Sequence, residues 1–177
     1  MREILAAIGE DPSREGLEAT PHRVAEAYTE FFAGIGVSTD ALLAGSVIPG
    51  ESGELVVIRD IEFRSVCEHH LLPFLGVAHV AYLPDTRVVG LGTIAKLVDI
   101  IAARPQLQER LTEEIADALE TGLEPLGVLV VLDAVHGCVT SRGPRQVRSS
   151  TVTLAGRGTL ADAAARQEAL AMVGFPT

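Results

Sequence analysis

The stretch LVVIRDIEFRSVCEHHLLPFLGVAHVAYLPD, residues 55–85, holds two β-rich runs separated by a short break that contains a cysteine and two histidines. Leu55 to Val66 reads as an extended strand rich in β-branched residues. Val77 to Leu83 reads as a second, closed by Pro84-Asp85, so the two form a hairpin-like pair. Downstream, LGTIAKLVDIIAA (91–103) places apolar residues at i, i+3, i+4 and i+7, the repeat of an α-helix. Pro105 interrupts the pattern, and LQERLTEEIADALET (107–121) resumes it. LGVLVVLDAV (126–135) predicts a buried strand, 149–155 a last strand, and 161–172 a short helix.

Upstream of the hairpin, Thr20 is the expected N-cap of a helix with Pro21 in its first turn. Val24, Ala27, Tyr28, Phe31 and Phe32 then share one face, and Gly34 and Gly36 end the helix. Gly45 to Gly53 reads as a loop. The order α, β, β, α, α, β, β, α encloses a helix pair between two strand pairs, an α+β layered fold rather than a doubly wound one. Helices are expected on one side of the sheet, and its edges need covering, for which oligomerisation is one route. The chain reads as a helical segment over 1–50 followed by a catalytic domain over 51–177, in a single structural unit.

Composition narrows the function. The chain has 177 residues, 47% hydrophobic and 21% charged, the balance of a soluble globular domain with a real core. Fourteen Lys and Arg against 24 Asp and Glu give a net charge of −10, which argues against a general nucleic-acid or anionic-membrane surface. No apolar run approaches the ~18 residues of a spanning helix. The opening MREILAAIGEDPSRE has no secretory apolar core, and two cysteines make no disulfide framework, so a cytoplasmic enzyme is the expectation.

The chemistry-bearing residues fall into groups. In Cys67-Glu68-His69-His70 a thiol and an imidazole three positions apart can turn to one metal, and such donors suit zinc. Cys138, two residues after His136, would complete a Cys₂His set with an open fourth position, the mark of a catalytic site. Spacing alone leaves two other readings open: buried thiols beside hydrogen-bonded histidines, or a nucleophilic cysteine paired with histidine. His69 and His136 are candidate general acids or bases, whereas His22 and His79 read as structural or surface residues. Arg142, Arg145, Arg148 and Arg157 lie in a stretch free of acidic residues and form a basic island suited to phosphate. Glu109, after Gln108 at a helix start, can accept two N–H bonds from a guanine-like edge, or merely complement the helix dipole.

Five motifs, in order, give the chain its resemblance to a known family. DPSREGLEATPHRV (11–24), CEHHLLPFLGVAHVAYLP (67–84), VVGL (88–91), RPQLQERLT (104–112) and HGCVTSRG (136–143) resemble the GTP cyclohydrolase I family. The resemblance implies the tunnelling fold (T-fold), a four-stranded antiparallel sheet with two helices between its second and third strands. It also implies barrel-forming pentamers stacked into a homodecamer, with sites between subunits. Zinc would be held by Cys67, His70 and Cys138, with His69 and His136 assisting proton transfer. Glu109 would bind the guanine edge with Gln108 nearby, and Arg142 would meet phosphate. The implied reaction opens the guanine imidazole ring at C8, releases formate and converts GTP to 7,8-dihydroneopterin triphosphate.

The departures lie at the phosphate end. Gly92-Thr93 stands where the family usually has Ser-Lys, Lys96 where it has arginine, and Glu26 where it has a lysine. Lys96, a candidate substrate-binding residue, is the sole lysine of the chain. A charge-assisted phosphate contact is worth on the order of 1.5–3 kcal/mol, so two lost cations predict weaker triphosphate binding. Three readings therefore stand. The chain is an ordinary GTP cyclohydrolase I, a divergent paralogue acting on a guanine base or nucleoside without triphosphate, or a non-enzymatic binding or scaffold protein on the same fold.

Overall fold

The computed structural model describes residues 1–50 and 53–174; Glu51 and Ser52, inside the expected loop and at the expected 50/51 domain boundary, lie outside the described residues. The first third of the chain forms α1 (Arg2–Ala7), α2 (Thr20–Phe31), α3 (Thr39–Ala44) and the short strand β1 (Val47–Pro49). The quoted hairpin becomes β2 (Val56–Cys67) and β3 (Pro73–Leu83), followed by β4 (Arg87–Val89), α4 (Leu91–Ala102), β5 (Pro105–Gln106) and α5 (Gln108–Leu123). The chain ends in β6 (Gly127–His136), α6 (Gly137–Thr140), β7 (Thr151–Gly158), a 3-10 turn (Thr159–Ala161) and α7 (Ala163–Val173).

β2, β3, β6 and β7 form the expected antiparallel sheet in that order, with α4 and α5 between its second and third strands. The two-residue β5 runs parallel to the end of β2, and β1 pairs with β4 in a separate two-stranded ribbon. Along β6 the side chains alternate between two environments. Val128, Val130, Leu132 and Ala134 enter the large core beneath α4 and α5, with Leu97, Ile101, Leu111, Ile115 and Leu119. Leu129 and Val131 point the other way and join Ala81, Leu160 and Ala169 under α7. The expectation of helices on one side only is corrected here. A strand apolar on both faces needs cover on both, and α7 covers part of the second face.

Several local expectations change for physical reasons. Thr20 is the first residue of α2, not its N-cap; Ala19 holds that position in helical geometry without a side-chain cap. The preceding turn supplies the bond, because the Thr20 N–H donates to the Leu17 carbonyl at 3.0 Å. Gly34 does not end α2, which stops at Phe31 with Phe32 as its C-cap. Gly34 instead lets two backbones meet: an added Cβ would stand 2.0 Å from the Ile100 carbonyl oxygen. β1 breaks the expected 45–53 loop, because its three residues carry no periodicity of their own and are extended through pairing with β4. His79 takes the structural of its two expected places: it is buried on β3, its Nδ1 accepting the Asp60 N–H at 3.2 Å where β2 bulges. Among the described residues, no helix is long and apolar enough to cross a membrane.

The helical segment is not a separate layer. Leu43 of α3 is fully buried in the main core, and a Cβ on Gly122 of α5 would lie 2.4 Å from its Cδ1. Leu43→Ala is therefore expected to remove about 2–4 kcal/mol of stability, read by urea unfolding at fixed protein concentration. A loss below about 0.5 kcal/mol, the size typical of a surface change, would show that α3 merely rests on the domain.

Candidate active site

β2 delivers Cys67 to a tight turn. The Leu71 N–H donates to the Cys67 carbonyl at 2.8 Å, and the Cys67 N–H donates to the Leu72 carbonyl at 2.9 Å. Leu71 takes a left-handed φ of 50°, which reverses the chain into β3 and leaves Glu68, His69 and His70 exposed. The turn is tied to the start of α5. The Glu68 N–H donates to the Gln106 carbonyl at 3.0 Å, and the Glu68 carboxylate pairs with Arg110. That guanidinium holds the Glu68 carboxyl below its ordinary pKa. The His69 and His70 rings meet edge to face at 6.3 Å.

Cys138 arrives from the other side. β6 runs to His136 and passes directly into the single turn of α6. A Cβ on Gly137 would stand 2.7 Å from the Pro73 carbonyl oxygen, so glycine lets α6 settle against the start of β3. The sulfur atoms of Cys67 and Cys138 and a ring nitrogen of His70 then all lie within 4.8 Å of one another. Tetrahedral zinc stands about 2.0–2.3 Å from such donors, so three this close can share one ion. Both cysteines are free, Cys67 buried and Cys138 partly so. Burial raises the Cys138 thiol pKa, and the Cys67 thiol beside it raises it further. Two soft donors crowded this way fit a cation that would draw both into the thiolate form.

His136 lies beside this trio. Its ring stacks flat on Phe74, with centroids 4.5 Å apart and planes 5° from parallel. Its Nε2 is 2.7 Å from Oε1 of Gln108. Burial lowers its pKa, and the Glu109 carboxylate opposes that shift from the first turn of α5. Glu109 itself is exposed. Gln108, expected beside a substrate, is instead 1% exposed behind His136. Its amide nitrogen is within hydrogen-bond distance of the carbonyls of Leu132 and Thr151 and the hydroxyl of Thr153.

The basic island divides. Arg142, Arg145 and Arg148 are exposed on the loop after α6, and the Arg142 charge reaches Cys138. Arg157 does not belong with them: it pairs with Glu113, with Asp117 at 2.7 Å and with Glu120 at 3.9 Å, all on α5. It clamps β7 to that helix. Lys96 lies on the exposed side of α4, and Glu26 pairs with His22 at 3.3 Å on α2. Among the described residues, the donor cluster is Cys67, His70 and Cys138, and the ion pair of Glu26 is with His22. Phe74, Glu68 and Arg110 were not singled out from the sequence. Nothing in their spacing signals a role that arises from strand register and from the first turn of α5.

At the level of fold, the chain is similar to the crystal structure of the archaeosine synthase QueF-Like in the apo form. The TM-score is 0.51 at 20% sequence identity, over 61% of this chain and 97% of that one. Its class is the α+β tunnelling fold. The sequence model of GTP cyclohydrolase I matches residues 1–174. The chain is 64% identical to the GTP cyclohydrolase 1 of Leifsonia xyli subsp. xyli, covering 97% of this chain and 91% of that protein. It is 51% identical to the GTP cyclohydrolase 1 of Caldanaerobacter subterraneus subsp. tengcongensis, covering 98% and 93%. The chain belongs to the GTP cyclohydrolase I family.

Gly137 generates a direct expectation. Gly137→Val must push α6 away from Pro73 and carry Cys138 out of reach of Cys67. Elemental analysis of the purified variant should show less than half of the metal retained by the unaltered protein. Gly92→Ala, whose added Cβ meets nothing within 4 Å, serves as the control. Full metal retention by Gly137→Val would mean that the cluster does not depend on this contact.

Proposed function

We propose that this chain is a GTP cyclohydrolase I that hydrolyses GTP at C8, releases formate and yields 7,8-dihydroneopterin triphosphate. The observation that carries the reading is the convergence of Cys67, His70 and Cys138 within 4.8 Å beside a half-buried His136. It occurs in a chain 64% identical to a protein named GTP cyclohydrolase 1. The donor set fits zinc, which when bound there supplies Lewis acidity and an activated water at neutral pH. His69 and His136 move protons to and from the purine as its imidazole ring opens. Glu109 accepts from the N–H groups of the guanine edge, and its carboxylate is exposed and free to do so. Arg142, with Arg145 and Arg148 on the same loop, binds the triphosphate, and Lys96 adds a cation.

The departures at Gly92, Thr93 and Glu26 alter the phosphate end without changing the substrate class. Neither the guanine base or nucleoside reading nor the scaffold reading gains support from the relatives. In the proposed homodecamer of two pentamers, Lys96 serves the site of a neighbouring subunit, consistent with its place outside the cluster in its own chain. The open edge of β7 suits pairing across subunits. The enzyme acts in the cytoplasm.

Offering the purified protein GTP, guanosine and guanine separately and measuring formate tests this reading. GTP should yield one formate per molecule consumed, and the other two far less. Formate from guanosine or guanine at the GTP rate would contradict it. Cys138→Ser should empty the metal site, because a hydroxyl is a poor replacement for thiolate. His69→Ala and His136→Ala should keep the metal and lose about 10²–10⁴-fold in turnover. Loss of metal from either folded variant would move that histidine into the ligand set. Light scattering should report a decamer, and an active monodisperse monomer would overturn the shared-site assembly.

A further inference from the structure

We propose that Gln108 is a positioning residue that orients His136 and fixes its tautomer, its locked amide oxygen holding the ring hydrogen on Nε2. The inference deepens the proposed function and rests on its assignment of proton transfer to His136. The argument begins with the amide, which is buried with the residue at 1% exposure. Its Nε2 lies 2.8 Å from the Thr151 carbonyl oxygen and 3.2 Å from that of Leu132. Backbone carbonyls only accept, so the group facing them is the NH₂ and the amide cannot be turned end for end. The third neighbour of that nitrogen, Thr153 Oγ1 at 3.2 Å, also accepts from it.

Oε1 therefore faces His136, 2.7 Å from Nε2. An amide oxygen has no hydrogen to give, so the hydrogen of this contact sits on Nε2. A neutral imidazole carries one ring N–H, so the other ring nitrogen, Nδ1, carries none. Stacking on Phe74 at 4.5 Å fixes the plane of the ring, and turning it over within that plane would put a carbon opposite Gln108 Oε1 and lose the hydrogen bond. Behind Gln108 the support continues. Thr112 Oγ1 donates to the Gln108 carbonyl at 2.7 Å and meets Thr153 Oγ1 at 2.6 Å, tying the first turn of α5 to β7. Both amide hydrogens are engaged by protein acceptors, so Gln108 reads the substrate only through His136.

Kinetics of the zinc-loaded oligomer with GTP test this. Gln108→Leu keeps most of the volume and removes the amide oxygen, whereas Gln108→Glu keeps an accepting oxygen in the same place. For Gln108→Leu, kcat should fall by about 10–100-fold while KM and bound zinc change less than about threefold. Gln108→Glu should recover part of the loss. In a His136→Ala background, Gln108→Leu should cost no more than about twofold, because its partner is already gone. A raised KM at unchanged kcat, or a full additional loss in the double variant, would overturn the inference and give Gln108 its own contact with substrate. If His136→Ala alone kept its activity, the underlying assignment of proton transfer would fail, and this inference with it. Should Gln108→Leu not fold, Gln108→Met, which also lacks the amide oxygen, carries the same cycle in both backgrounds. Magic-angle-spinning NMR of imidazole-labelled protein gives a readout that simple packing does not move. It should find His136 protonated at Nε2, and a ring protonated only at Nδ1 would contradict the proposal.

Discussion

The pairing of β3 with a strand on each side is the constraint on which the site depends. β2 and β6 both run antiparallel to β3, so their C-terminal ends arrive together at its beginning. The register pairs Val66 with Pro73 and Phe74 with His136. Cys67 follows Val66 by one residue and Cys138 follows His136 by two, so the thiols meet across the first residues of β3. A one-residue slip of either strand would turn its side chains to the opposite face and separate them. The β3–β6 approach is close enough to need glycine at position 76, where a Cβ would stand 2.2 Å from the Asp133 carbonyl oxygen.

α5 is the second support, and its first turn serves three groups with three consecutive residues. Successive helical residues point about 100° apart, so neighbours in sequence reach different partners. Gln108 turns inward to His136, Glu109 outward to solvent, and Arg110 to Glu68 on the cysteine–histidine turn. The helix is held in place by Leu111, Ile115 and Leu119 in the core and by Arg157 from β7. A change at the start of α5 therefore reaches the cysteine–histidine turn and His136 together.

Much of this was legible in the sequence because it rests on local periodicity. The two hairpin-like strand pairs and the enclosed helix pair follow from alternating and 3.6-residue patterns, and they stand within a few residues of where those patterns put them. The Cys67 and His70 spacing, with a lone second cysteine far downstream, announced a possible metal set before any geometry was known. What escaped depends on contacts between distant segments. β1 and β4 are extended only because they pair, and α7 is needed only because β6 is apolar on both faces. Arg157 looks like its neighbouring arginines in sequence, but the strand register aims it at three carboxylates on α5. Gln108 sits beside Glu109 in the chain, yet helical geometry buries it behind His136.

Strand register brings Cys67, His70 and Cys138 together as a candidate Cys₂His metal centre. Anomalous diffraction at the zinc absorption edge, from crystals of protein purified without chelators, tests it most directly. One peak per chain is expected, bonded to Sγ of Cys67, Sγ of Cys138 and a ring nitrogen of His70, with His69 and His136 unligated. The absence of a peak there with a Cys67–Cys138 disulfide in its place, or a peak ligated by His136, would contradict it.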